Sequence, residues 1–333
     1  MRILSLFDGI ACARVALGKI GRDVHCYYAS EIDKYAIQVA KKNYLDICEV
    51  GDIVGLNITQ ESANIDLIIG GSPCQDLSIA KKGREGLSGK RSGLFWEYVR
   101  ILKQVSPKYF VLENVNSMPK EAKQIITETL GVEPIMINAS LVSAQNRKRL
   151  FWTNIPNVTQ PKDKGILLKD ILEGNNDNVR ACSLRGRYTI EGKRKDVLGA
   201  KTQQRLELGG DKANAITSVT KDSLVFIGGI GKKDWCGDGK YFSRNYPQGQ
   251  RVYSPEGKTA TLSANGGGLG AKTGLYEIDG DIRKLTPIEC ERLQGLPDNY
   301  TEGISNTQRY KCLGNAFNVD VVAHILSFME IDL

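Results

Sequence analysis

The stretch Ile65-Asp-Leu-Ile-Ile-Gly-Gly-Ser-Pro-Cys-Gln-Asp-Leu-Ser78 limits the fold more than any other part of this chain. Its apolar run, Leu67 to Ile69, suits a central parallel strand covered on both faces. The run breaks at Gly70-Gly71 and delivers Pro73-Cys74 onto a loop. In open α/β sheets, ligand chemistry lies just beyond the carboxyl ends of such strands. A cysteine fixed by a preceding proline therefore stands where a nucleophile is useful. Taken alone, a loop thiol beside a turn reads more simply as an ordinary cysteine.

The neighbouring sequence supplies the rest of a sheet. Strands are expected at Arg2 to Phe7, Cys26 to Ser30, Ile47 to Val50, Ile65 to Ile69 and Tyr109 to Leu112. Two more follow at Pro134 to Leu141 and Arg149 to Asn154. Helices fall between them, over Ala13 to Ile20, from an Asp33 cap to about Tyr44, over Gly93 to Val105 and over Lys120 to Leu130. Such alternation predicts an α/β fold with a doubly wound parallel sheet. Near the end, Thr286-Pro287-Ile288-Glu289 is a capping box with proline at the first helical position. That helix should stop at Gly295. Gly314-Asn315 is expected to open a final helix, with Val319, Val322, Ala323 and Leu326 at core spacing.

Between Pro156 and Ile282 the character changes. Twenty of the 35 glycines lie there, with short Val/Ile/Phe/Tyr runs between them. Lys and Arg exceed Asp and Glu there by five, most of the chain's net charge of +7. A smaller, β- and loop-rich domain is expected over 156–283, with 1–155 plus 284–333 forming one discontinuous domain. The modest positive field is compatible with nucleic acid. No run of 18 apolar residues is present, so no transmembrane helix is expected. The eight cysteines form no CxxC pair and there are two histidines. The thiols are read as free in a reducing cytosol, with no metal site and no histidine-based triad.

Three acids end three strands: Glu31, Asp52 and Glu113. Glu31 follows Gly9 at the spacing of an acid that holds a ribose. The turn before it lacks GxGxxG and carries Asp8, which would repel a pyrophosphate. A phosphate-free ligand with cationic groups fits better, and S-adenosylmethionine is one. As the bland alternative, Asp33 and Asp8 simply cap helices.

Several motifs in order carry a family resemblance. Gly71-Ser-Pro-Cys-Gln75, Glu113-Asn-Val115, Gln145-Asn-Arg-Lys-Arg149, Leu285-Thr-Pro-Ile-Glu-Cys-Glu-Arg-Leu-Gln-Gly-Leu-Pro297 and Gly314-Asn315 resemble those of the C5-cytosine DNA methyltransferases. Phe7-Asp-Gly9 is similar to that family's cofactor loop, and Arg91-Ser-Gly-Leu-Phe95 to the segment closing its active-site loop. The match covers about 1–155 and 284–333. The resemblance implies a Rossmann-like S-adenosylmethionine-dependent methyltransferase sheet, with 156–283 as target recognition domain. Departures from the family pattern are Ala11-Cys12, Ser72 and Ala316-Phe317, all beside the expected cofactor.

The implied chemistry explains the residue types. Carbon 5 of cytosine is a poor nucleophile until a thiolate adds at carbon 6, and Cys74 would supply that thiolate. Glu113 would hold the ring's N3 and N4 edge. Arg147 and Arg149 would contact the ring's O2, back Cys74 and reach a phosphate. Without the flanking strands, that basic run would be read as a solvated face. Cofactor contacts carried over by position are Phe7 against the adenine, Asp8, Gly9, Glu31 with Ile32, Asp52 with Ile53, Pro73, Leu94 and Asn315. Asn315 requires the C-terminal helix to fold back beside the first strand. The loop from Gln75 to Ser92 is expected to act as a lid over DNA.

The target base must be extruded from the duplex for Cys74 to reach it. Lys232, Lys233, Arg244 and Arg251 are candidates for DNA contact, though a solvated surface is the simpler reading of each. The expected setting is double-stranded DNA in a bacterial or phage-infected cytoplasm, associated with the nucleoid. The protein should act there as a monomer, with a possible cognate restriction endonuclease. The alternative is a tRNA cytosine-5 methyltransferase on the same scaffold.

Overall fold

The computed structural model describes residues 1–58, 64–72, 93–173 and 281–330, with strands and single positions between 182 and 278. Seven strands form the main sheet: β1 (Arg2–Leu6), β2 (Cys26–Ser30), β3 (Ile47–Glu49), β4 (Leu67–Gly71), β5 (Tyr109–Val115), β6 (Ile135–Asn138) and β7 (Lys148–Thr153). Their order is β3-β2-β1-β4-β5-β7-β6. The pairs from β3 across to β5 are parallel, while β7 runs antiparallel to both β5 and β6. All seven expected strands are present, but the sheet is mixed rather than wholly parallel. The short β6–β7 link carries a single 3₁₀ turn, Ala139–Leu141, too little for a crossover, so the chain returns antiparallel.

The apolar run behaves as its composition requires. Leu67 and Ile69 enter one core and Ile68 the other, all fully buried. Helices α1 (Cys12–Lys19) and α2 (Lys34–Asn43) cover the first face. Helices α3 (Leu94–Val105) and α4 (Lys120–Leu130) cover the second. Asp33 caps α2, accepting from the Tyr35 N–H at 2.9 Å.

The C-terminal segment adds α5 (Pro287–Leu293), α6 (Asn306–Asn315) and α7 (Val319–Leu326) to the first face. The capping box at Thr286 and Glu289 is formed. Gly314-Asn315 closes α6 rather than opening the last helix. The cap of α7 is Asn318, whose side chain accepts from the Val321 N–H at 3.1 Å. Helix α6 was invisible in sequence because its polar run shows no apolar stripe. The segment folds back beside α1: Tyr300 donates to the Ile10 carbonyl at 2.8 Å, and Lys19 meets Asp320 at 3.0 Å.

Residues beyond 155 do not leave the large domain at once. Leu168 and Leu172 are buried in its first core, with Val158, Ile166 and Ile171 packed against it. Further on lie a three-stranded sheet of β8 (Cys182–Ile190), β9 (Lys193–Arg194) and β10 (Thr202–Leu208), and a four-stranded one of β11 (Val225–Gly229), β12 (Arg251–Ser254), β13 (Leu275–Ile278) and β14 (Asp281–Arg283). Among the described residues no helix is long and apolar enough to cross a membrane. No cluster of His, Cys, Asp or Glu there could hold a metal. Cys12, Cys26, Cys48, Cys290 and Cys312 are free thiols.

Candidate active site

The carboxyl end of β4 meets that of β5 in a fixed register. Gly71 pairs with Glu113, and β7 sets Phe151 opposite Glu113 and Arg149 opposite Val115. Arg149 and Glu113 are thus diagonal neighbours on one face. Arg149 Nε lies 2.7 Å from Glu113 Oε1, with only 17% and 13% of the two side chains exposed. A second Arg149 nitrogen donates to the Lys148 carbonyl at 2.9 Å. Glu113 and Arg149 line one pocket with Arg147, Phe151 and Phe317.

Gly71 must be glycine for reasons of space. A Cβ there would lie 2.8 Å from the Phe317 ring and 3.1 Å from Glu113 Oε2. Buried Asn114 continues the arrangement: its Nδ2 donates to Ser72 Oγ at 3.1 Å. The residue before Pro73 is therefore tied to the residue after Glu113. Asn114 and Phe317 were not singled out for roles in sequence. Their signal lay in their neighbours, Glu113 and Asn315, and their use depends on packing. Pro73, Cys74 and the expected lid from Gln75 to Ser92 lie outside the described residues, as do Lys232, Lys233 and Arg244. Arg251 lies in β12, where only the strand is described.

The expected arginine pair divides. Arg147 is 5% exposed, and its guanidinium donates to main-chain carbonyls, at 3.3 Å to Gly314 from each terminal nitrogen and at 2.9 Å to Ala316. Its backbone N–H donates to Asn138 Oδ1 at 2.9 Å. Both arginines line the same pocket, and Arg147 in addition bonds these main-chain carbonyls. Gln145 is fully buried, and neither side-chain amide atom has a hydrogen-bond partner among the described residues. Its backbone forms a bridge with Thr259, which joins the 144–146 turn to the returning chain.

At the ends of β1 and β2 a second group of residues gathers. Phe7 and Gly9 adopt left-handed backbone, at φ 58° and 64°. Ala11 does too, at φ 60°, at one of the positions where the chain departs from the family pattern. Glu31 Oε2 accepts from the Gly9 N–H at 2.8 Å; Oε1 accepts from Ile32 and Asp33 at 2.7 and 2.8 Å. A carboxylate offers about four acceptor directions, so one is left for a hydroxyl. Asp8 is buried and takes the Tyr27 hydroxyl at 2.5 Å on Oδ1, while Oδ2 has no partner. Burial pushes the Asp8 carboxyl up to about 6; the Ser5 and Tyr27 hydroxyls oppose this and the Glu31 and Glu49 charges add to it.

The remaining expected cofactor residues are placed unevenly. Asp52 is exposed and accepts from the Val54 N–H at 3.0 Å. Ile53 is 2% exposed and packs in the second core, while Val54 beside it is exposed. Ile32 is 72% exposed, Leu94 is half-buried and Asn315 is exposed. Glu31 and Asp52 at strand ends, with buried Asp8 in the turn between β1 and α1, suit a cationic ligand without phosphate. The residues present therefore fit S-adenosylmethionine and would repel a dinucleotide.

A family model described as C-5 cytosine-specific DNA methylase matches residues 1–330. The type II methyltransferase M.HhaI of Haemophilus parahaemolyticus is 31% identical over 343 residues, covering 98% of this chain and 93% of that enzyme. The orphan methyltransferase M.Rho11sI of Bacillus phage rho11s is 30% identical over 311 residues; 85% of this chain is covered, and it spans 61% of that enzyme's length. Among solved structures, the Entamoeba histolytica methyltransferase EhMeth has a TM-score of 0.64 at 15% identity, covering 98% of this chain and 97% of that one. The S. pombe Dnmt2 methyltransferase gives 0.60 at 16%, with the same coverage. At such identities the likeness concerns the fold alone.

Proposed function

The chain belongs to the C-5 cytosine-specific DNA methylase family and is a DNA (cytosine-5-)-methyltransferase, and we propose that it acts through a transient bond between Cys74 and carbon 6 of a flipped cytosine. The observation that carries this reading is the Glu113–Arg149 pair on the strand end opposite Gly71, three residues before Cys74. S-adenosylmethionine supplies an electrophilic methyl group when bound. Phe7, Asp8, Gly9, Glu31, Ile32, Asp52, Leu94 and Asn315 would hold it, with Pro73 on the Cys74 side and the backbone of Ile53 at the base edge.

Cys74 sulfur adds to carbon 6 while Glu113 braces the N3 and N4 edge, stabilising charge pushed into the ring. Arg149 orients Glu113 and faces the ring's O2. With the cofactor bound, carbon 5 would be positioned to take its methyl group, leaving S-adenosylhomocysteine; loss of the carbon 5 proton to a base would then expel the Cys74 thiolate and restore the ring double bond. Extruding the base costs roughly a few kcal/mol, offset by phosphate contacts from the basic segment after Glu173. We keep 156–283 as the recognition segment, with 158–172 and Leu262, Tyr276 and Ile278 packing on the first core of the large domain. The substrate in this reading is duplex DNA in a bacterial or phage-infected cytoplasm. The protein works on it as a monomer, alone or beside a cognate endonuclease.

Bisulfite sequencing of DNA from cells expressing the chain is expected to show methylcytosine in one sequence context. Cys74→Ser should abolish it, and labelled methyl transfer should favour duplex DNA over tRNA. Full methylation by the serine variant would rule the mechanism out.

A further inference from the structure

We propose that Arg147 is a positioning residue for the cofactor turn, holding the main chain on both sides of Asn315; this deepens the function proposed above and rests on it. The guanidinium bonds the carbonyls of Gly314 and Ala316, which flank Asn315. Those carbonyls end α6, where helix carbonyls lack intrahelical partners and the negative end of the dipole favours a cation.

Neighbouring side chains hold the same turn from either side. Gln294 Nε2 donates to the Leu313 carbonyl at 2.6 Å. Asn318 Nδ2 donates to the Leu293 carbonyl at 2.9 Å and to Ser143 Oγ at 3.3 Å. The root of Arg147 is fixed in turn, by its N–H on Asn138 at the end of β6. A link therefore runs from the sheet through Arg147 to the turn that presents exposed Asn315. Two residues on, Arg149 serves the other side of the same pocket, on Glu113. One short basic run thus divides its work between the cofactor turn and the reacting base. A planar fork reaching two carbonyls explains why lysine, a point charge, would serve less well.

The test uses binding of S-adenosylhomocysteine by calorimetry, without DNA, to the full chain. Losing charged hydrogen bonds of this kind should raise its Kd about tenfold in Arg147→Met, and less in Arg147→Lys. Lys120→Met, an exposed change on α4, should stay within about twofold of the native chain in this assay. Adding Asn315→Ala to Arg147→Met should weaken binding no further than the stronger single change, since both act on one turn. In turnover, KM for S-adenosylmethionine should rise more than kcat falls. Native affinity in Arg147→Met, or full additivity with Asn315→Ala, overturns the proposal. If the Met variant does not fold, the Lys variant is read in the same assay, and unchanged affinity there overturns it. A native chain that binds no S-adenosylhomocysteine overturns the function proposed above as well.

Discussion

Asp8 shows how one residue ties cofactor chemistry to stability. Its carboxyl is buried, with one oxygen on the Tyr27 hydroxyl and Ser5 as a further hydroxyl neighbour. Burial raises it from the usual 3.8 to about 6. An acid with a raised folded pKa leaves stability intact below about 4 and removes it as pH rises through about 6. A rise of this size corresponds to a loss on the order of 2–3 kcal/mol above that window. Asp8→Asn keeps an acceptor for Tyr27 and carries no charge. The variant is therefore expected to gain stability relative to the native chain at pH 7.5 and to lose that advantage at pH 4. Urea denaturation at the two pH values measures this; an equal difference at both would show that the buried charge has no such effect.

At the scale of elements, the ends of β4, β5 and β7 set the geometry. Glu113 points where it does because Gly71 and Phe151 are its register partners, and Arg149 reaches it across a diagonal. Phe317, from the turn between α6 and α7, closes the space over Gly71. Gly71→Ala must displace either the Phe317 ring or the Glu113 carboxylate. Misplacement of about 1 Å at a reacting group costs on the order of 100-fold, so kcat should drop by about 10- to 100-fold. Steady-state kinetics would check this, with circular dichroism confirming a folded chain. A variant with native kcat would mean that Glu113 tolerates the shift.

Over the whole molecule, one side chain joins the two crossings between the large domain and the segment beyond it. Fully buried Glu289 accepts from the Glu173 N–H at 3.0 Å, where the chain departs, and from the Thr286 N–H at 2.7 Å, where it returns. Arg292 adds bonds to the Ile171 and Leu172 carbonyls at 3.0 and 3.2 Å. Glu289→Ala would leave two backbone donors unsatisfied, at about 1–3 kcal/mol each. A loss of roughly 2–5 kcal/mol is expected in urea denaturation, together with a higher KM for DNA. A loss below about 1 kcal/mol would show that water replaces the carboxylate readily.

The amino-acid sequence by itself determined the seven strands, most of the helices, the capping box at Thr286 and the family. Periodicity and cap residues act between near neighbours, and motif order survives in a linear string. Tertiary structure decided that β7 runs antiparallel, that Asn318 rather than Gly314 starts the last helix, and that Ile53 faces the core. It also separated Arg147 from Arg149, which stand two apart in one basic run. Their partners, Gly314 and Glu113, come from segments 167 residues later and 36 residues earlier. Which of them a guanidinium meets depends on strand register and helix packing, and no local pattern encodes that.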